Sequence, residues 1–177
     1  EEANEDFGEA VRRRLLTFVV VGGGYSGVET AGEMLDLLHE TAKFYSNVSR
    51  DEIRVVLVHS RERILHTLSD DLGDYAAKKL RQRGLEICLE ERVRAVTATR
   101  VYLNSGTMIE TATVVSTVGT APNQVIRKVC DEQGVPHERY RIKTDDCLRV
   151  EGFENLWSAG DCACVPLAES DGENCPQ

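Results

Sequence analysis

A short apolar strand pattern runs directly into a glycine-rich turn and then into a segment with helical periodicity. The strand pattern covers residues 17–21, and the turn occupies residues 22–27. After the turn, the apolar residues at helical spacing are Val28, Ala31, Leu35, Leu38 and Ala42. A strand, a glycine turn and a helix in this order predict the first unit of a Rossmann-like α/β fold with a central parallel sheet.

The glycine turn has the spacing G-x-G-x-x-G, which predicts a different structural role for each of the three motif glycines. We expect Gly22 to make the sharp bend, Gly24 to let a pyrophosphate approach, and Gly27 to let the helix pack closely on its strand. Gly23 is expected to fill a position without a constraint of its own. The expected cofactor-binding residues of the turn are Gly22, Gly23, Gly24, Tyr25, Ser26 and Gly27. Because free N–H groups and the helix dipole favour phosphate there, the motif predicts NADH or NADPH binding, with a purely structural turn as the alternative.

Composition excludes several other classes of protein. The chain has 30 acidic and 21 basic residues, a formal net charge of -9, so we expect no nucleic-acid partner. No apolar run reaches the roughly 18 residues that a membrane-spanning helix needs, and the acidic start resembles no signal peptide, which predicts a cytoplasmic protein. The six cysteines and four histidines lack zinc-ligand spacing, so we expect reduced thiols and no metal site, with a redox or metal role for the close pair Cys162 and Cys164 as the alternative.

Further along the chain, strand and helix patterns alternate. Residues 54–58 form a β-branched run typical of a buried parallel strand, and Ser69 precedes a helix that Gly84 ends. The apolar face of that helix is predicted to carry Leu72, Tyr75, Ala76 and Leu80. The later predicted segments are a third strand at 87–89, an antiparallel meander over 93–109, a strand at 113–118, a short helix near 125–129 and an extended piece at 141–144.

These patterns suggest three parts. Residues 1–16 hold the end of a preceding helix, residues 17–123 form a nucleotide-binding domain, and residues 124–177 belong to an incomplete second domain. Because the chain opens abruptly before its first strand, we expect it to be an excised fragment of a longer protein.

Three stretches in this order, residues 19–29, 116–123 and 156–163, resemble the pyridine nucleotide-disulfide oxidoreductase superfamily. Residues 12–18 and 33–38 look most like the type II NADH:quinone dehydrogenases within it. In that family an FAD domain is interrupted by an NAD(P)H domain and is completed afterwards. The resemblance implies that the FAD-binding half before residue 1 is missing, so this chain alone is expected to bind little FAD and to be inactive.

The resemblance also implies roles for residues at both ends of the nucleotide-binding domain. Glu29 matches a glutamate near the stacked nicotinamide and flavin, where it would help to position the rings or relay a proton; the alternative is an acid that stabilises the first helical turn. The residues matching the loop that borders the nicotinamide are Val118, Gly119 and Thr120. Gly160 and Asp161 match the flavin site, where Asp161 would accept a hydrogen bond; the alternative is an ordinary turn-forming aspartate.

One position departs from the family pattern. The second strand ordinarily ends in an acid that binds the adenosine ribose, but here it ends in His59, followed by Ser60 and Arg61. Without a carboxylate to repel it, a 2'-phosphate could be bound by His59, Ser60, Arg61 and Arg63, so NADPH is an expected coenzyme. The alternative is that the arginines are surface charges and that Glu62 reaches the ribose.

For the intact protein, the resemblance implies hydride transfer from NAD(P)H to FAD and then reduction of a quinone. The alternatives are another branch of the superfamily, such as a sulfide:quinone or ferredoxin-type reductase, or a non-catalytic NAD(P)-sensing module. A sulfide enzyme would use a redox-active Cys130 or Cys162. Membrane attachment, if present, would be peripheral, on the inner face and through regions outside this chain, and a homodimer is compatible with the family.

Overall fold

The computed structural model describes residues 8–119 and 121–166. The chain divides into two compact units, Glu1–Val118 and Gly119–Gln177, and each unit is considered by itself.

The first unit is an α/β domain. Its elements are α1 (Glu9–Leu15), β1 (Thr17–Val21), α2 (Tyr25–Ala42), a 3₁₀ turn (Arg50–Glu52), β2 (Arg54–Val58), α3 (Asp70–Arg83), β3 (Glu86–Cys88), β4 (Val93–Val96), β5 (Arg100–Leu103), β6 (Met108–Glu110) and β7 (Thr113–Ser116). Four strands form a parallel sheet in the order β3-β2-β1-β7, and a separate antiparallel sheet, in the order β4-β5-β6, is the predicted meander. The predicted fold class, with a central parallel sheet and a meander, is confirmed.

Both faces of the parallel sheet are covered, which explains the unbroken apolar runs of β1 and β2. On one face, Val20 and Leu57 pack with Ala31 and Leu35 of α2. On the other face, Val19, Val56 and Val58 pack with Val101, Leu103 and Ile109 of the meander. Each of the valine, leucine and isoleucine side chains in these sets contributes about 1.5 to 3 kcal/mol by leaving water. The core therefore fixes β1 and β2 side by side, in the register Val21 beside Val58, and sets where their carboxyl ends lie.

The second unit is smaller. Its elements are α4 (Gln124–Gln133), β8 (His137–Glu138), β9 (Arg141–Lys143), a 3₁₀ turn (Gly160–Cys162) and β10 (Ala163–Cys164). Strand β9 pairs with β8 in the antiparallel sense and with β10 in the parallel sense. The core of the unit consists of Cys130, Val135, Ile142 and Val150.

The predicted apolar face of α3 is wrong at two positions. Leu72 and Tyr75 are 49% and 57% exposed, whereas the buried residues of this helix are Gly73, Ala77 and Leu80. Small residues let α3 approach the preceding segment closely, since a Cβ on Gly73 would lie 3.0 Å from the carbonyl oxygen of Ile64. The helix therefore turns its small residues inward and leaves two larger ones in solvent.

Strand and helix ends also shift. The strand predicted over 113–118 ends at Ser116, the third strand begins one residue early at Glu86, and α4 continues to Gln133. Among the helices of the described residues, none combines the length and apolar character needed to cross a membrane.

Candidate nucleotide-binding site

The bend after β1 depends on Gly22. Its φ is +117°, in the left-handed region that favours glycine, and its N–H donates to the carbonyl oxygen of Val58 at 2.9 Å. A Cβ on Gly22 would lie 2.5 Å from Thr117 Oγ1 and 2.8 Å from Val118 Cγ1. The chain leaving β1 therefore bends directly beside the end of β7, with no room for a side chain.

Gly27 makes the closest approach in the turn. A Cβ there would lie only 1.7 Å from the carbonyl oxygen of Gly22, closer than any real contact. The first turn of α2 is thus pressed against the end of β1, which aims the start of the helix at the carboxyl edge of the parallel sheet.

Gly24 is different, because nothing lies within 4 Å of the position that its Cβ would take. It is the N-cap of α2, with a φ of -78°, and no side chain caps the helix there. Tyr25 and Ser26, which follow it, are exposed. The first N–H groups of a helix have no partner within the helix. An 18-residue helix thus begins at an open, uncapped end beside a backbone free of side chains.

Gly23 is not the unconstrained position that we expected. Its N–H donates to His59 Nδ1 at 3.0 Å, and its carbonyl oxygen accepts the N–H of Leu65 at 2.7 Å. A Cβ on Gly23 would lie 2.6 Å from Cγ and 2.9 Å from Cβ of His59. Gly23 is therefore required by the packing of the segment that follows β2, and its N–H is already occupied.

His59 lies at the end of β2, as predicted, but its ring packs beneath the glycine turn. The side chain is buried at 8% exposure, and burial is the main cause that lowers its pKa, helped by the positive charges of His66 and Arg61. Ser60 and Arg61 are exposed. Contact of His59, Ser60 and Arg61 with the adenosine ribose stays a prediction, with His59 facing the turn rather than solvent.

The two candidate arginines differ in their surroundings. Arg63 forms ion pairs with Asp70 and, at 3.7 Å, with Asp74. Arg61 is exposed and makes no ion pair within the described parts of the chain. Of the two, Arg61 is the arginine whose charge remains available to a ligand.

Glu29 is exposed on α2. The expectation that it lies in the first helical turn is wrong, because α2 begins at Tyr25 and its first turn contains no acidic residue. The alternative role, an acid that stabilises the start of the helix, is correspondingly weaker, since the interaction of a charge with the helix dipole falls off beyond the first turn. Its role near the nicotinamide stays a prediction.

The remaining predicted residues lie near the end of β7 and in the second unit. Val118 is exposed at the end of the first unit, Gly119 has a φ of +84°, and Thr120 lies outside the described residues. Gly160 has a φ of +70° and begins the 3₁₀ turn that exposes Asp161. Within the second unit, Asp161 lines a cavity of about 670 Å³ together with Asn123, Tyr140, Arg141 and Cys162.

The five described cysteines are free thiols. Cys130 is buried at 3% exposure, and burial raises its pKa, which disfavours the reactive thiolate. Cys162 donates its thiol hydrogen to the carbonyl oxygen of Ala159 at 3.2 Å. The burial of Cys130 therefore does not support the redox-active role that a sulfide enzyme would give it.

Sequence reasoning missed Leu65 as a contributor to the turn. Its φ of +51° is uncommon for a residue with a side chain, and it supplies the N–H that holds the Gly23 carbonyl. No local sequence pattern predicts a positive φ at this leucine, because the conformation follows from the path of the loop after β2.

A strand, a glycine turn and a helix packed this tightly at the edge of a parallel sheet define a dinucleotide-binding α/β domain. The chain belongs to the pyridine nucleotide-disulphide oxidoreductase family, whose family model matches residues 3–175. The resemblance inferred from the sequence is thereby confirmed.

Curated relatives agree with this assignment. The chain is 34% identical over 157 residues to the internal alternative NAD(P)H-ubiquinone oxidoreductase A1 of Arabidopsis thaliana mitochondria, covering 88% of this chain and 30% of that protein. It is 32% identical over 155 residues to a probable NADH dehydrogenase of Dictyostelium discoideum, covering 87% and 34%. The chain thus spans about a third of the length of these relatives.

Solved structures share the fold. NDH2 from Plasmodium falciparum in complex with NADH superimposes with a TM-score of 0.77 at 20% identity, covering 93% of this chain and 35% of that chain. A ferredoxin reductase from Rhodopseudomonas palustris gives a TM-score of 0.67 at 22% identity, covering 89% and 36%. At these identities the likeness concerns the fold alone.

Proposed function

We propose that this chain is the NAD(P)H-binding part of an FAD-dependent dehydrogenase that passes hydride from NAD(P)H to FAD and on to a quinone. One observation carries the proposal: Gly24 stands open at the start of α2 while Gly22 and Gly27 lock the turn around it. The turn thus has room for a ligand only where the helix N-terminus needs a partner for its N–H groups.

Gly22, Gly24 and Gly27 would hold the pyrophosphate, which gains hydrogen bonds from the first N–H groups of α2 and a favourable position at the positive end of the helix dipole. Gly22 and Gly27 act by shape, because they keep the turn close to the sheet. Gly24 acts by leaving the space above the helix start empty.

The adenosine end lies at the exposed residues after β2. Arg61 would bind the 2'-phosphate of NADPH, and the absence of a carboxylate at position 59 removes the repulsion that excludes that phosphate in NAD-specific domains. Both coenzymes are therefore expected to bind, and Arg61 is expected to matter only for NADPH.

At the other end, Glu29 and the residues 118–120 would border the nicotinamide. In the second unit, Gly160 and Asp161 would contribute to an FAD site, and the polar and charged side chains of Asn123 and Arg141 that line the cavity with Asp161 support this proposal. FAD, when bound in the whole protein, supplies the hydride-accepting chemistry, while the protein supplies binding and orientation.

The quinone, the FAD and any membrane contact belong to the proposal for the whole protein. The relatives named as ubiquinone oxidoreductases support a quinone acceptor. We propose that any attachment of the whole protein to a membrane is peripheral, and that the whole protein can form a homodimer.

Calorimetric titration of the chain with NADH and NADPH tests the proposal. In Gly24→Val the turn should fold normally, because φ is negative and the new side chain meets no protein atom, yet the valine would fill the phosphate position. We expect binding of both coenzymes to fall by more than about tenfold, a loss of about 1.4 kcal/mol.

Gly8→Val is the matched control. Gly8 is also a helix N-cap with a negative φ and no atom within 4 Å of a Cβ, but it precedes α1 instead of α2. Its coenzyme affinity should equal that of the unmodified chain. Unchanged binding in Gly24→Val would contradict the proposed site.

The activity of the full-length protein distinguishes a dehydrogenase from a non-catalytic NAD(P)-sensing module. A dehydrogenase should reduce an artificial electron acceptor at the expense of NADH, and a sensor should reduce none. Activity that persists in the full-length protein but disappears in Gly24→Val would tie the reaction to this turn.

A further inference from the structure

The peptide groups of Gly23 are held on both sides by the segment that follows β2. The N–H donates to His59 Nδ1 at 3.0 Å, and the carbonyl oxygen accepts the N–H of Leu65 at 2.7 Å. These contacts fix the orientation of the peptide units that lead into Gly24. The glycine turn is therefore shaped by a neighbouring segment as well as by its own sequence.

The His59 contact is tight and buried. The ring lies so close to Gly23 that even a methyl group there would overlap Cγ and Cβ of the histidine. With the side chain at 8% exposure, water has little access to replace this hydrogen bond if it is lost. A buried N–H without a partner costs free energy, so the bond has more effect here than at the surface.

The direction of the hydrogen bond specifies the protonation state of His59. Nδ1 accepts the Gly23 N–H, so it carries no proton in this conformation. A protonated imidazole donates from both nitrogens and has no acceptor to offer. Protonation would therefore set two N–H groups against each other and force the turn to move.

The surroundings keep His59 neutral. Burial lowers its pKa most, the charges of His66 and Arg61 lower it further, and the backbone of Arg63 opposes them. The ring of His66 lies 6.2 Å from that of His59, centroid to centroid. The neutral form is thus favoured near neutral pH, which is the form that the Gly23 contact requires.

We propose that His59 is a positioning residue whose neutral imidazole holds the glycine turn in its nucleotide-binding conformation by accepting the Gly23 N–H. The role is distinct from the direct ribose contact expected at this position, because it acts through the turn. Its consequence for coenzyme affinity rests on the proposed function, whereas the contact itself is a property of the ligand-free chain.

The first test needs neither coenzyme nor variant. In the ¹⁵N spectrum of the ligand-free chain, the Gly23 amide should shift with pH at the same midpoint as the ring resonances of His59. The amide should also exchange with solvent faster once His59 is protonated. If the chemical shift and the exchange rate of the Gly23 amide do not change over the pH range in which His59 titrates, the proposal is overturned.

Three variants provide the second test. His59→Asn keeps an acceptor, since asparagine Oδ1 lies the same number of bonds from Cβ as histidine Nδ1. His59→Leu removes the acceptor. His137→Leu is the matched control, because His137 Nδ1 likewise accepts a backbone N–H, that of Tyr140 at 3.2 Å, but within the second unit.

Near neutral pH, NADH affinity measured by calorimetry should stay within about threefold of the unmodified chain in His59→Asn and should fall by about five- to tenfold in His59→Leu, as expected for a lost buried hydrogen bond. His137→Leu should bind NADH like the unmodified chain. Equal affinities in His59→Asn and His59→Leu would overturn the proposal.

The two tests separate this proposal from the proposed function. If the unmodified chain binds no NADH, the proposed function fails, and the Gly23 amide still decides whether His59 holds the turn. If His59→Leu does not fold, two measurements still decide the proposal: the NADH affinity of His59→Asn and the pH titration of the Gly23 amide in the unmodified chain.

Discussion

A Cβ on Gly27 would lie only 1.7 Å from the carbonyl oxygen of Gly22. This relationship joins the last bend of β1 to the first turn of α2, and it leaves glycine as the one residue type that fits position 27. The start of the helix is thereby held against the parallel sheet, with the open position of Gly24 between the two glycines.

Gly27→Ala should disrupt this contact. The added methyl group overlaps backbone, which cannot move aside as a flexible side chain can, so we expect a loss of about 1 to 3 kcal/mol in the free energy of unfolding. Because the turn must shift, NADH affinity should also fall by more than about tenfold. Urea unfolding and calorimetric titration measure the two effects.

Gly32→Ala on the same helix is the control. Its Cβ would meet Leu80 at 3.6 Å, an ordinary contact, and a helix-interior alanine is favoured over glycine by roughly 0.5 to 1 kcal/mol. It should be as stable as the unmodified chain or more so, with normal NADH binding. A Gly27→Ala chain with equal stability and affinity would show that the turn tolerates a side chain.

The choice of coenzyme should depend on Arg61. Arg61→Glu places a negative charge where the 2'-phosphate of NADPH is expected, so NADPH affinity should fall by at least about tenfold. NADH lacks that phosphate and serves as the internal control, with an expected change of less than about threefold. If both affinities fall equally, or neither falls, the arginine does not contact the phosphate.

Leu35 should contribute strongly to the stability of the first unit. It is 1% exposed between α2 and the sheet, so Leu35→Ala should lower the free energy of unfolding by about 2 to 5 kcal/mol. Leu37→Ala, two residues along and 67% exposed, should change it by less than about 0.5 kcal/mol. Similar losses in the two variants would place α2 in the wrong orientation.

Acid should weaken the fold through Glu52. Hydrogen bonds from Arg12 and from the Ser49 backbone lower the pKa of this carboxyl group from 4.5 to about 2. The folded state therefore binds the proton more weakly than the unfolded state, and the stabilisation is complete above the unfolded pKa and is lost as pH falls towards the folded value.

The variant Glu52→Gln should lower stability near neutral pH and should flatten its dependence on pH below 4.5, the ordinary value for this group. Urea unfolding at several pH values, in a double-mutant cycle with Arg12→Gln, measures the coupling of the pair. Additive effects of the two substitutions would show that the ion pair contributes no stability.

Regular burial made the first unit predictable from sequence. Strands β1 and β2 are covered on both faces, so they are apolar at every position after their first residues, Thr17 and Arg54. Helix α2 buries one face, so its apolar residues recur at helical spacing. The glycines of the turn were predictable for a related reason: the positive φ and the neighbouring side chains at Gly22, and the close backbone oxygen at Gly27, exclude other residues. In each case the structural constraint acts on the residue type itself.

Other features depend on the path of the chain and leave no such pattern. The inward face of α3 includes Gly73 and Ala77 beside the correctly predicted Leu80, whereas the larger Leu72 and Tyr75 are exposed, so side-chain size and hydrophobicity misplaced these two residues. The hydrogen bonds of Gly23 with His59 and Leu65 join segments that are distant in sequence. Neither residue type by itself indicates that it lies beneath a nucleotide-binding turn.

A crystal structure of the chain with NADH bound tests the central claim most directly. We predict that the two phosphates lie above Gly24, with their oxygens at about 3 Å from the amide nitrogens at the start of α2. Coenzyme bound elsewhere on the chain, or a turn that stays empty in crystals saturated with NADH, would contradict it.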